Sequence, residues 1–189
     1  MTVPTTPPAG GTFDLASGLT ILRSTPAVLS ELLAPLPEAW LDAHEGDGTW
    51  SARQVLRHLI WGEVDDWIPR VRLIYEYGEA QTFRAFDREA GFRHYERFGP
   101  GELLGEFARL RSESLHELER LHIGPDDLPR TGRHPEFGTV TLEQLLATWV
   151  THDLTHITQI ARVLTRHAGM SSGPWKAYFR VFAQSDGAR

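Results

Sequence analysis

The chain has 189 residues, 41% of them hydrophobic, and a formal net charge of −6, which suits one globular domain built around one core. That mild acidity, with basic residues scattered among acids as in 109–113, excludes the electrostatic footprint that nucleic acid or an anionic membrane requires. With no cysteine, disulfides and zinc–thiolate centres are ruled out, and a nucleophilic thiol would have to come from a substrate.

No apolar run approaches the ~18 residues of a membrane span, and residues 1–8 lack the charged start and apolar core of an export signal, so the chain is expected in the cytoplasm. Residues 1–12, rich in Pro, Thr and Gly, predict a disordered arm, and 13–185 read as a single domain. A first helical region lies near 17–33. Thr25-Pro26 within it is a helix-start signal with Thr25 as cap, so the region reads as one kinked helix or two short pieces, ended by Pro35 and Pro37.

Ser51, with Gln54 three residues on, makes a capping-box pattern for a helix over 51–77 that Gly78 stops. Its inward stripe is Val55, His58, Leu59, Gly62, Asp65 or Asp66, Pro69 and Leu73, and Pro69 predicts a kink near one end. Residues 78–99 carry Phe83, Phe86, Phe92, Tyr95 and Phe98 among many charges. They read as a long packed connection with room for a short helix, of a length that is uncommon unless it serves a site or an interface.

A helix over 102–121 buries Leu103, Phe107, Leu110, Ser114, Leu118 and Leu121. The stretch 130–140, with Gly132, Pro135 and Gly138, reads as loop. Thr141 with Gln144 opens the last long helix, to about 167, and Gly173-Pro174-Trp175 starts a short one through about 182. Four main helices with short additions predict an all-α fold, an antiparallel four-helix bundle.

The last long helix carries the chemistry. Its inward stripe runs Leu142, Leu145, Trp149, His152, His156, Gln159, Val163, so for two turns the apolar seam gives way to imidazole, imidazole and carboxamide. A buried polar group without a partner costs on the order of 1–3 kcal/mol, so three in succession need a shared explanation. Histidines at i and i+4 stand one above the other on a helix face and can converge on one ion at ~2.0–2.1 Å. His58 is the one histidine on the inward stripe of the 51–77 helix and supplies a third ligand. Three histidines with open positions form a catalytic rather than a structural pattern. Without thiolates, the set suits Zn or Ni foremost and also Fe, Mn or Co. The remaining histidines read as solvated, with His134 held open because its stretch leads into the metal helix.

Thr49-Trp50-Ser51 with His58, and then the run 148–160 containing His152 and His156, resemble the DinB-like (damage-inducible) superfamily; the stretch 131–138 and Gly173-Pro174-Trp175 resemble one branch of it. The resemblance covers about 17 to 183. It implies a four-helix bundle, often a homodimer, with a metal held between helices by the residues matching His58, His152 and His156. Characterised relatives imply thiol transfer or thiol-dependent isomerisation.

Three functions compete. The leading expectation is a metal-dependent transferase moving a low-molecular-weight thiol onto a small electrophilic substrate. Hydrolysis is the alternative and needs a carboxylate base, for which Asp65, Asp66 and Glu63 are candidates beside the reading of each as a solvated acid near a helix end. The third is a non-catalytic module that the metal merely staples. Asp153 is a candidate to orient an imidazole, and Gln159 a candidate to contact ligand or satisfy a neighbouring helix. Trp50, Trp61, Trp67 and Trp149 are candidates to wall a pocket, beside the reading of such residues as core or dimer interface, and Trp149 is expected in the core.

Overall fold

The computed structural model describes residues 13–183; the expected disordered arm, 1–12, and the last two residues of the expected domain lie outside them. The chain forms α1 (Leu15–Leu33), α2 (Glu38–Leu41), α3 (Ala52–Asp65), α4 (Trp67–Tyr77), α5 (Ala90–His94), α6 (Pro100–Arg120), β1 (Thr131–His134), β2 (Gly138–Thr141), α7 (Leu142–Gly169) and α8 (Arg180–Ala183). Short 3₁₀ segments occupy Gly78–Ala80, Pro125–Asp127 and Gly173–Tyr178. No helix among the described residues is long and apolar enough to cross a membrane.

α1 is one helix, capped by Asp14, whose carboxylate accepts from the Ala16 and Ser17 amides. The expected start at Thr25 is not used: Thr25 donates back to the Ile21 carbonyl at 3.1 Å, and Pro26 sits inside the helix. A proline cannot bond to the carbonyl four residues earlier. That carbonyl, Leu22, instead accepts from Arg111 of α6 at 2.8 Å.

Ser51 caps α3 through the full capping box with Gln54, as the spacing predicts. The expected single helix over 51–77 is broken at Asp66, whose φ −117 and ψ −73 separate α3 from α4. The break falls three residues before Pro69, because the ring removes an amide and crowds the Asp65 carbonyl, so the chain turns ahead of it.

The core falls into two apolar clusters. One holds Leu22, Trp67, Val71, Leu115, Leu118, Leu146 and Trp149; the other holds Leu29, Val55, Leu59, Leu103, Phe107, Ile160 and Leu164. Their order along the chain gives the topology: α1 and α7 run from the first cluster to the second, whereas α6, and α3 with its continuation α4, run back. α3 and α6 pack side by side and parallel. The 78–99 connection must therefore carry the chain back along the bundle. It does so with α5 packed on α3, where a Cβ at Gly91 would collide with the Arg57 carbonyl oxygen.

The stretch 130–140 is a β-hairpin rather than loop. Thr131 pairs with Thr141 and His134 with Gly138 in antiparallel register. β-branched residues at 131 and 139–141 favour extended backbone, and Gly138, at φ +73, closes the turn. Thr141 ends β2 and also caps α7, accepting from Gln144 at 3.1 Å.

Candidate metal centre

His58 stands in the middle of α3, and His152 and His156 stand one turn apart on α7. α3 and α7 pack directly together. One ligating nitrogen from each of the three rings falls within 4.8 Å of the others. His58 Nε2 lies 2.9 Å from His152 Nε2, and the His156 ring centroid is 4.3 Å from that of His152 and 4.7 Å from that of His58.

Hydrogen bonds set the tautomers. His58 Nδ1–H donates to the Arg88 carbonyl at 2.9 Å, and His156 Nδ1–H donates to Gln159 Oε1 at 2.8 Å. Each ring thereby keeps Nε2 as a bare lone pair. His152 Nδ1 is buried with no hydrogen-bond partner, so protein groups alone do not satisfy this ring beside the His58 lone pair. Burial lowers the pKa of all three imidazoles, His58 to about 4 and His152 to about 2. Neutral rings with converging lone pairs are the donor set a borderline divalent ion takes, so the residues fit a metal.

The rings open on a cavity of about 540 Å³ walled also by Asp66, Trp67, Arg70, Phe86, Arg88 and the hairpin residues His134 to Phe137. A larger groove between α1 and α6, about 880 Å³, carries none of the three histidines.

The carboxylate candidates separate. Asp66 lines the cavity, 2.6 Å from Arg70 Nε, and burial pushes its pKa up to about 6. Asp65 pairs with Arg84 at 3.5 Å outside the cavity. Glu63 is neither solvated nor at the centre: it is fully buried, and Arg111 donates to it at 2.8 Å and to Asp153 at 2.6 Å. Asp153 therefore holds a guanidinium, not an imidazole. Gln159 neither faces the cavity nor satisfies another helix; it fixes His156 on its own helix.

His134 does line the cavity, with Nδ1 accepting from the Glu136 and Phe137 amides at 3.1 and 3.3 Å. Among the tryptophans, Trp67 is on the wall, Trp50 flanks His58 at 4.9 Å and Trp61 stacks on His94 instead. Trp149 is core, as expected. The sequence reading missed the roles of Arg88, Phe86 and Phe137. Only the unusual length of the 78–99 connection signalled that it served a site.

A model of the DinB superfamily matches residues 21–160. A protein of Oceanobacillus iheyensis named "Putative metal-dependent hydrolase OB0782" is 24% identical over 154 residues, covering 77% of this chain and 83% of that one. "Putative metal-dependent hydrolase YfiT" of Bacillus subtilis is 27% identical over 161 residues, covering 80% and 84%. The solved structure of YfiT, described as a probable metal-dependent hydrolase with an unusual four-helix bundle topology, matches with a TM-score of 0.72 at 22% identity, over 88% of this chain and 94% of YfiT. That last likeness establishes the fold.

Proposed function

The chain belongs to the DinB superfamily, and on that premise we propose that it is a metal-dependent hydrolase of small molecules whose ligands are His58, His152 and His156. The convergence of three neutral imidazoles on one spot, those of His58 and His156 buried and that of His152 half-buried, carries the reading. When bound, a zinc- or nickel-like ion supplies Lewis acidity and makes water nucleophilic near neutral pH. The chain's own residues do the rest. Gln159 and the Arg88 carbonyl hold two rings in the ligating tautomer, and Asp66 takes the proton from attacking water. With a pKa near 6, that carboxyl is mostly ionised at neutral pH yet basic enough to accept.

Hydrolysis displaces thiol transfer, the leading expectation from the sequence. Both named relatives are designated hydrolases, and no residue of the cavity specifies a thiol. An open cavity beside the rings also favours chemistry over a purely structural ion.

The test is elemental analysis of wild type and His152→Ala, followed by assay against p-nitrophenyl acetate with and without added thiol. Near-stoichiometric metal in the wild type, its loss in the variant and thiol-independent turnover are expected. Equal metal in both proteins would remove the site, and turnover that requires thiol would restore the transferase reading.

A further inference from the structure

The cavity wall carries two arginines in different states. Arg70 is neutralised by Asp66 at 2.6 Å. Arg88 has no carboxylate partner among the described residues, and its guanidinium lies over the Trp50 ring, 5.3 Å from the centroid. Trp50 itself stacks parallel to His156, with centroids 6.3 Å apart, so the cation is moored beside the three imidazoles. Its charge contributes to lowering the pKa of all three.

A ring under the guanidinium face steadies it but leaves the in-plane N–H donors unused. Those donors form a fork matched to the two oxygens of a carboxylate or phosphate. The same cavity wall carries two apolar rings, Phe86 half-buried and Phe137 75% exposed. Phe137 is held in place by stacking on His134 at 4.5 Å. The remaining carboxylate of the wall, Glu136, belongs to the hairpin turn and interacts with His134 rather than with Arg88.

We propose that Arg88 binds an oxyanion of the substrate and sets an apolar or aromatic body against Phe86 and Phe137, so that this cavity selects small anionic molecules. The proposal rests on reading the cavity as the reaction site, but it assigns the selectivity to the side chain of Arg88 and not to the ion. Only the main-chain carbonyl of Arg88 holds His58, so the side chain can be changed without removing that contact.

The experiment is calorimetric titration of metal-free and zinc-loaded protein with benzoate, phenyl phosphate and the neutral isostere benzamide, in wild type, Arg88→Gln and Arg88→Lys. At least one anion should bind about tenfold or more tightly than benzamide, and the tighter of the two identifies carboxylate or phosphate as the natural group. R88Q should abolish that preference and R88K retain part of it, with zinc content equal in all three proteins. An anion preference that survives R88Q, or no preference in the wild type, overturns the proposal. An Arg88-dependent preference in a protein that takes up no zinc would sink the metalloenzyme reading and leave the anion site standing.

Discussion

His58 and His156 each spend one ring N–H on a fixed acceptor, and burial keeps them and His152 uncharged. The cost of that arrangement is sensitivity to acid. For a group whose folded pKa lies below its unfolded value of about 6.5, the unfolded chain binds more protons between the two values, so stability rises with pH there. The histidine contribution is complete above about 6.5 and is lost as pH falls toward the folded values, about 4 for His58. Asp66, with its pKa raised to about 6, acts with the opposite sign over part of that range. The clean measurement is therefore the difference between wild type and His152→Gln, both metal-free. Below about pH 6.5 the wild-type melting temperature should fall more steeply than that of the variant, and parallel curves would contradict the assignment. For activity, kcat/KM should climb through an apparent pKa near 6 as Asp66 ionises. Asp66→Asn should remove that limb and cost about a hundredfold or more in rate. The imidazole pair and its third partner were legible because they interrupt an apolar seam at helical spacing. Asp66 could not be separated from Asp65 in the sequence, since one step at a helix break decides which carboxylate turns inward.

At the scale of elements, that break is itself a product of Pro69, and the hairpin and the returning connection complete the cavity. The long helices were readable from their period and, at Ser51 and Thr141, from their caps, whereas the start of α1 at Asp14 was not. The hairpin was not, because Gly132, Pro135 and Gly138 dominate a stretch whose strands are only four residues each. Nor was the return path. Periodicity reports each helix alone, whereas the need for a crossover follows from α3 and α6 lying parallel. α5 is seated by the absence of a side chain at Gly91, where a Cβ would strike the Arg57 carbonyl and come within 2.9 Å of Trp61 Cβ. Gly91→Ala should push α5 off α3 and draw the nearby Arg88 carbonyl away from His58. Metal affinity, measured by chelator competition, is then expected to fall about tenfold or more, the usual scale for losing a ligand's outer partner. Unchanged affinity would show that the connection does not position the ring.

Across the whole molecule, a polar layer separates the two apolar clusters. His152, Asp153 and His156 interrupt α7; His58 and Glu63 flank the boundary on α3; Arg111 and Ser114 interrupt α6; and the Leu22 carbonyl completes it from α1. Arg111 sits on the same stripe as Leu103, Phe107, Ser114 and Leu118, so its position was in the pattern. Leu110, expected on that buried edge, is only half-buried, and Arg111 takes the inward position. Burial pushes the Glu63 carboxyl up against the pull of Arg111, and the guanidinium is shared by two carboxyl groups. Arg111→Met should destabilise the fold by about 3–5 kcal/mol in urea, because it strands both acids in the interior. Replacing all three members with apolar residues should recover most of that loss, and a mild effect of the single change would mean that water reaches the layer. Because the connector grips His58 through a main-chain oxygen, nothing beyond the α-carbon at position 88 is needed to hold that ring. The side chain at that position can therefore be exchanged, one residue for another, while the three imidazoles keep their places.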